Sequence, residues 1–133
     1  MRVVLDTNVL ISAIFFGGLP ARILAAWGDG RVEMLGSVDI LTEYRRVVAR
    51  LEQRFPSVDA QPVLDLLIRA CHLVEPVPVP RSACEDPDDL KFLGCALAGR
   101  AGCIVSGDRA LLRASGFEGV EVLTPSAFAR RYL

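Results

Sequence analysis

A chain of 133 residues that is 52% apolar and 23% charged, with a formal net charge of −1, has enough apolar sequence for a packed core and excludes intrinsic disorder; nothing in its bulk charge announces a nucleic-acid binder. No apolar run approaches the ~20 residues that cross a bilayer, and Asp6 and Asn8 interrupt the apolar start that a signal peptide would need, so a soluble, cytoplasmic protein is expected. Four cysteines without a CxxC pair, and His72 as the only histidine, exclude a zinc site of standard spacing.

The first element is the apolar triplet Val3–Leu5, which reads as a buried strand and runs directly into Asp6, Thr7 and Asn8. Helical patterns over 9–15 and 20–27 follow, separated by the Gly17-Gly18 break. Val32–Leu35 is a second strand. Ser37 then caps a helix whose Ile40, Tyr44, Val47, Val48 and Leu51 share one face, and Pro56 follows its end. Residues 62–72 read as another helix. The stretch LVEPVPVPRSA (73–83) is punctuated by proline and reads as a short strand entering an edge or loop.

Residues 87–98 form a further helical pattern, then Cys103–Val105 a strand; Cys95 and Cys103 lie in apolar runs and read as small buried hydrophobes. A short helix over 109–115 stops at Gly116, Val120–Leu123 is the last strand, and Thr124-Pro125 caps and starts the final helix. Strand–helix alternation along the whole length, without repeats or linkers, gives a single α/β domain over 1–133 with a mainly parallel central sheet covered on both faces.

In open α/β sheets ligands bind beyond the carboxyl ends of the strands. Asp6 follows the first strand at once, and Asp108 follows Cys103–Val105 after Ser106-Gly107. Glu43, between Ile40 and Val47, stands at the edge of the inward stripe of its helix. Asp89 precedes Phe92, Leu93 and Ala96 on their face, whereas Asp88 points roughly 100° away. Taken singly, each acid has a plain structural explanation. Asp86 is a good N-cap before Pro87, Asp88 and Asp89 suit a helix dipole, Asp108 and Asp6 can cap the helices after them, and Glu43 can rise to solvent. Taken together, clustered carboxylates repel in an apolar setting unless their pKa values rise or a cation joins them. Oxygen ligands without nearby His or Cys suit Mg²⁺ or Mn²⁺.

The start VVLDTNVLISA, the glutamate of the second helical region, DPDDLKFLGCALAG and IVSGD, in this order, resemble PIN-domain proteins, and most of all the VapC-like toxins of bacterial toxin–antitoxin pairs. The resemblance implies a three-layer α/β/α fold and an acidic pocket holding Mg²⁺ or Mn²⁺ for endoribonuclease cleavage of RNA. By position it makes Asp6, Glu43, Asp89 and Asp108 the catalytic acids and metal ligands, with Asn8 orienting Asp6 and Ser106 supporting the site. The chemistry implied is in-line attack of a metal-activated water on phosphorus, with the 3′ oxygen leaving. Ala110 stands where close relatives often carry a further acid, which leaves one or two ions open. A small antitoxin and a second copy of the chain are the implied partners.

Arg46, Arg50 and Arg54 repeat on one helix face beside Arg45. A solvated face explains them, and so does contact with RNA or an acidic partner. The apolar stretch Ile14–Leu19 is either core or an exposed patch for a partner helix. Two other functional classes remain: a PIN scaffold used only for binding, and a phospho-accepting receiver domain. The receiver needs a lysine at the end of a late strand, but the only lysine, Lys91, falls inside a helical pattern.

Overall fold

The computed structural model describes all 133 residues. Five strands, β1 (Arg2–Leu5), β2 (Glu33–Gly36), β3 (His72–Leu73), β4 (Cys103–Val105) and β5 (Val122–Leu123), form one sheet in the order β3-β2-β1-β4-β5. Every pairing is parallel. Successive residues of a strand point to opposite faces, and Val3, Val4 and Leu5, like Cys103, Ile104 and Val105, are all at most 1% exposed. Both faces of the central strands are therefore covered, as the apolar triplets predict. The cover comes from α1 (Thr7–Phe15), α2 (Gly18–Gly28), α3 (Val38–Arg54), α4 (Gln61–Ala70), α5 (Leu90–Gly99), α6 (Arg109–Arg113) and α7 (Pro125–Tyr132).

The capping chemistry sets most boundaries. Ser37 Oγ accepts from the Ile40 amide at 3.4 Å and Thr124 Oγ1 from the Ala127 amide at 3.1 Å, starting α3 and α7 where the sequence places them. Gly17 and Gly18, at φ +75° and +65°, turn the chain between α1 and α2. The Ile14–Leu19 stretch divides between core and surface. Phe15 packs against the core, whereas Phe16 is 62% exposed and meets Phe55 edge to face at 5.3 Å.

Three of the differences from the sequence reading have a visible physical cause. The helix expected over 62–72 ends at Ala70, because Leu35 and Gly36 draw His72 and Leu73 into the sheet as an edge strand. The helix expected from 87 starts at Leu90: Pro87–Asp89 is a 3₁₀ turn, capped by Asp86 Oδ1 accepting from the Asp88 amide at 2.9 Å. The last strand is shortened to Val122–Leu123, since Val120 is tied to Phe117 and Gly116 in a turn of their own.

The sheet reverses its winding between β1 and β4, the place where such folds open a crevice. Register puts Leu5 opposite Val105, so Asp6 and Ser106 emerge side by side at the carboxyl edge. The Asp6 amide donates to the Val105 carbonyl at 3.0 Å and prolongs the ladder to that point.

The proline-rich segment after β3 crosses α5 closely. The Val77 amide donates to the Gly94 carbonyl at 3.2 Å, and a Cβ on Gly94 would stand 2.6 Å from the Val77 carbonyl oxygen. Backbone cannot yield as a flexible side chain can. Gly94→Ala is therefore expected to destabilise the fold by up to about 2 kcal/mol net, an overpacking cost of ~1–3 kcal/mol less ~1 kcal/mol of gained helix propensity. Urea unfolding checks this, and a stabilised variant would show that the crossing is loose.

Candidate active site

The two strand ends and two helices deliver four acids to one cleft. Asp6 sits at the N-terminus of α1, yet its carboxylate does not cap that helix. Instead Ser106 Oγ donates to Asp6 Oδ2 at 2.6 Å, and the same hydroxyl accepts from the Asp108 amide at 2.9 Å. Ser106 is fully buried, so its single hydroxyl fixes both acids relative to each other. Asp108 does cap: its Oδ2 accepts from the Leu111 amide at 3.1 Å and starts α6. Capping therefore leaves Asp108 on the lining of the cleft. Asp89 closes the 3₁₀ turn, buried at 8% exposure, while Asp88 is exposed, as the angular argument predicts.

Glu43 reaches the cleft from α3. Tyr44, the next residue, is buried and donates its hydroxyl to the Leu5 carbonyl, which ties α3 to the end of β1. Thr7 Oγ1 donates to Glu43 Oε2, and Lys91 stands 3.0 Å from Oε1. Arg46 adds a looser pairing at 3.8 Å. The cleft that results has a volume of about 260 Å³; Asp6, Glu43, Asp89 and Asp108 line it, with Arg46 and Arg50 on the same wall. A wider groove of about 720 Å³ adjoins it and shares Glu43, Arg46 and Asp88. Arg54, the third of the arginine series, lies over the Phe55 ring instead, and Arg45 pairs with Asp65.

The electrostatics are strained. Burial pushes the Asp6 carboxyl above its usual range, and the neighbouring Asp108 and Glu43 charges push the same way against the Ser106 hydrogen bond. Asp89 is raised to about 7, first by burial, then by its contact with Asp108 and the charges of Asp108, Asp6 and Asp86. Asp89 Oδ2 is buried without any hydrogen-bond partner. An orphaned buried carboxylate oxygen among repelling acids is the arrangement that a hard cation relieves, so the donor set fits Mg²⁺ or Mn²⁺ in its chemistry.

The full ligand array is not assembled, however. No three Asp, Glu, His or Cys side chains stand close enough to hold one ion. Both oxygens of Glu43 are already engaged, by Thr7 on one side and by Lys91 and Arg46 on the other. Asn8 also differs from expectation. It is exposed on the cleft wall, and Asp6 takes its side-chain hydrogen bond from Ser106. Thr7, Tyr44 and Lys91 join the site only through the fold. Lys91 carried a signal in being the only lysine, two positions after Asp89. His72 lies on the edge strand, paired with Glu33 at 2.9 Å.

The raised Asp89 pKa has a consequence for stability. In the unfolded chain an Asp titrates near 3.9, whereas in the fold Asp89 holds its proton up to about 7. Across that window the native state binds more protons, so its stability falls as pH rises from about 4 to 7 and levels off above. Ion-free melts at pH 5 and pH 8 are expected to show a larger loss for the wild type than for Asp89→Asn. Equal losses would mean that Asp89 titrates normally.

Compared with known families, residues 2–110 match the PIN domain family. The comparison with curated proteins finds no match.

Proposed function

The chain belongs to the PIN domain family, a nuclease-type fold, and on that premise we propose that it is a Mg²⁺- or Mn²⁺-dependent endoribonuclease hydrolysing RNA phosphodiester bonds. The observation that carries this reading is the buried, unpartnered Asp89 Oδ2 beside Asp6 and Asp108 at the carboxyl ends of β1 and β4. Asp6, Glu43, Asp89 and Asp108 would hold the ion, which when bound supplies a water of lowered pKa and charge opposite the phosphodiester oxygens. Ser106 keeps Asp6 in place through its hydroxyl. Arg46 and Arg50, on the cleft wall, suit phosphate groups, for which the guanidinium fork is well shaped.

The biological role in this reading is that of the toxin of a toxin–antitoxin pair, acting in the cytoplasm as a homodimer and restrained by a small antitoxin. The motif resemblance supports it, as does the exposed Phe16, which packs on the half-buried Phe55. No single helix is long and apolar enough to cross a membrane.

The test is incubation of purified protein with mixed RNAs, with and without Mn²⁺. Cleavage is expected to stop on chelation and to return with Mn²⁺; full cleavage after thorough chelation would overturn the proposal. One observation favours a second reading, a catalytically weak binding module: both Glu43 oxygens are already engaged. RNA retention without cleavage in the same assay would select it.

A further inference from the structure

Lys91 is the only lysine of the chain, and its surroundings are not those of a surface lysine. Its side chain is 18% exposed and its ammonium lies over the Phe92 ring at 5.2 Å. The ammonium donates to the Asp88 carbonyl at 2.6 Å and stands 3.0 Å from Glu43 Oε1. An ammonium is a compact, strongly hydrated charge, and withdrawing it from water is compensated only by a partner of opposite sign. Glu43, itself 20% exposed, is that partner. The pair joins α5 to α3 at the boundary between the acidic cleft and the wider groove.

The other groups facing Glu43 complete its enclosure. The Thr7 hydroxyl holds Oε2, and the mostly exposed Arg46 guanidinium stands 3.8 Å from Oε1. Lys91 is thus the one closely held, largely buried cation on this carboxylate. In the same cleft Asp89 Oδ2 has no hydrogen-bond partner. The acids are therefore divided: one is neutralised by the protein itself, and the aspartates are left to repel one another.

We propose that Lys91 is the resident counter-cation of the cleft, a positioning residue that holds Glu43 out of the ion-ligand set until a divalent cation displaces it. The inference rests on the divalent-ion reading above. It gives a role to a largely buried ammonium held on Glu43 beside the aspartates. Lys91 lowers the charge of the empty cleft and stabilises the ion-free fold, and an entering ion must compete with it for Glu43. Removing the ammonium has opposite effects on the two states.

The experiment is Mn²⁺ titration calorimetry, with thermal melts, on the wild type, Lys91→Met, Lys91→Arg, Glu43→Gln and the Lys91→Met/Glu43→Gln double variant. Lys91→Met is expected to tighten the Mn²⁺ Kd on the order of tenfold while melting earlier than the wild type without ion. Lys91→Arg keeps the cation and is expected to stay near the wild-type affinity. In the Glu43→Gln background the Lys91→Met gain is expected to vanish, because the competition runs through Glu43. Unchanged or weaker binding by Lys91→Met overturns the inference. So does an equal gain with and without Glu43, which marks a general charge effect. Lys91→Gln takes the place of Lys91→Met, with the same outcomes, if the latter does not fold. Failure of every variant, wild type included, to bind Mn²⁺ overturns the divalent-ion reading itself.

Discussion

Asp6→Asn and Asp89→Asn are each expected to lower RNA cleavage by at least on the order of a hundred- to a thousandfold, the range seen when one electrostatic contact to a reacting group is removed. The two changes preserve shape. An amide oxygen at position 6 can still accept from Ser106 Oγ, now at 2.6 Å from Asp6 Oδ2, and position 89 loses only a charge that its buried surroundings disfavour. The folded state is therefore expected to persist, and ion-free stability at neutral pH to hold or rise, since a like charge leaves a repelling group. Ser106→Ala leaves both acids in the cleft but releases Asp6, and a loss of about 10–100-fold is expected, as for other groups that orient a ligand. Asp88→Asn is expected to remain near wild type, because that side chain is exposed and only its carbonyl is used by Lys91. Initial rates on one RNA, with circular dichroism of each variant, check the series. A loss for Asp88→Asn as deep as that for Asp89→Asn would overturn the assignment of faces at this turn.

Mn²⁺ is expected to raise the melting temperature of the wild type on the order of ten degrees at a hundredfold excess over its Kd. An ion that binds only the fold stabilises it by RT ln(1 + [L]/Kd), about 2.7 kcal/mol at that excess, and a domain of this size gains a few degrees per kcal/mol. The unfolded chain has no such site, because Asp6, Glu43, Asp89 and Asp108 come from four separated segments. Mg²⁺ is the weaker probe, since it gives up its water reluctantly. Asp6→Asn is expected to lose most of the rise. Scanning calorimetry or dye-monitored melting reads it. An equal rise in a variant lacking Asp6, Glu43 and Asp89 would place the ion elsewhere and remove this cleft from consideration.

The Mn²⁺ and Lys91 experiments separate two sources of order in the site. Ser106 and the strand register act whether or not an ion is present. The Glu43–Lys91 pair is the contact that the proposed ion would have to displace.

The amino-acid sequence by itself determined what short-range chemistry controls. The apolar triplets before Asp6 and Ser106 specify β1 and β4, Ser37 and Thr124 start α3 and α7 through their own hydroxyls, and strand ends bearing Asp6 and Asp108 point to one sheet edge. Local helical geometry also separates Asp89 from Asp88 correctly, even though the turn there is 3₁₀. Tertiary structure alone decided the rest. His72 and Leu73 join the sheet because β2 offers them a ladder, which outweighs the helical pattern preceding them. Thr7, Tyr44 and Lys91 enter the site through partners distant in the chain, Glu43, the Leu5 carbonyl and Glu43 again. Periodicity and capping carry no trace of such pairings. A lysine inside an apolar helical pattern declares its charge but not its partner, because that partner is set by the packing of α5 against α3 rather than by any neighbour in the chain.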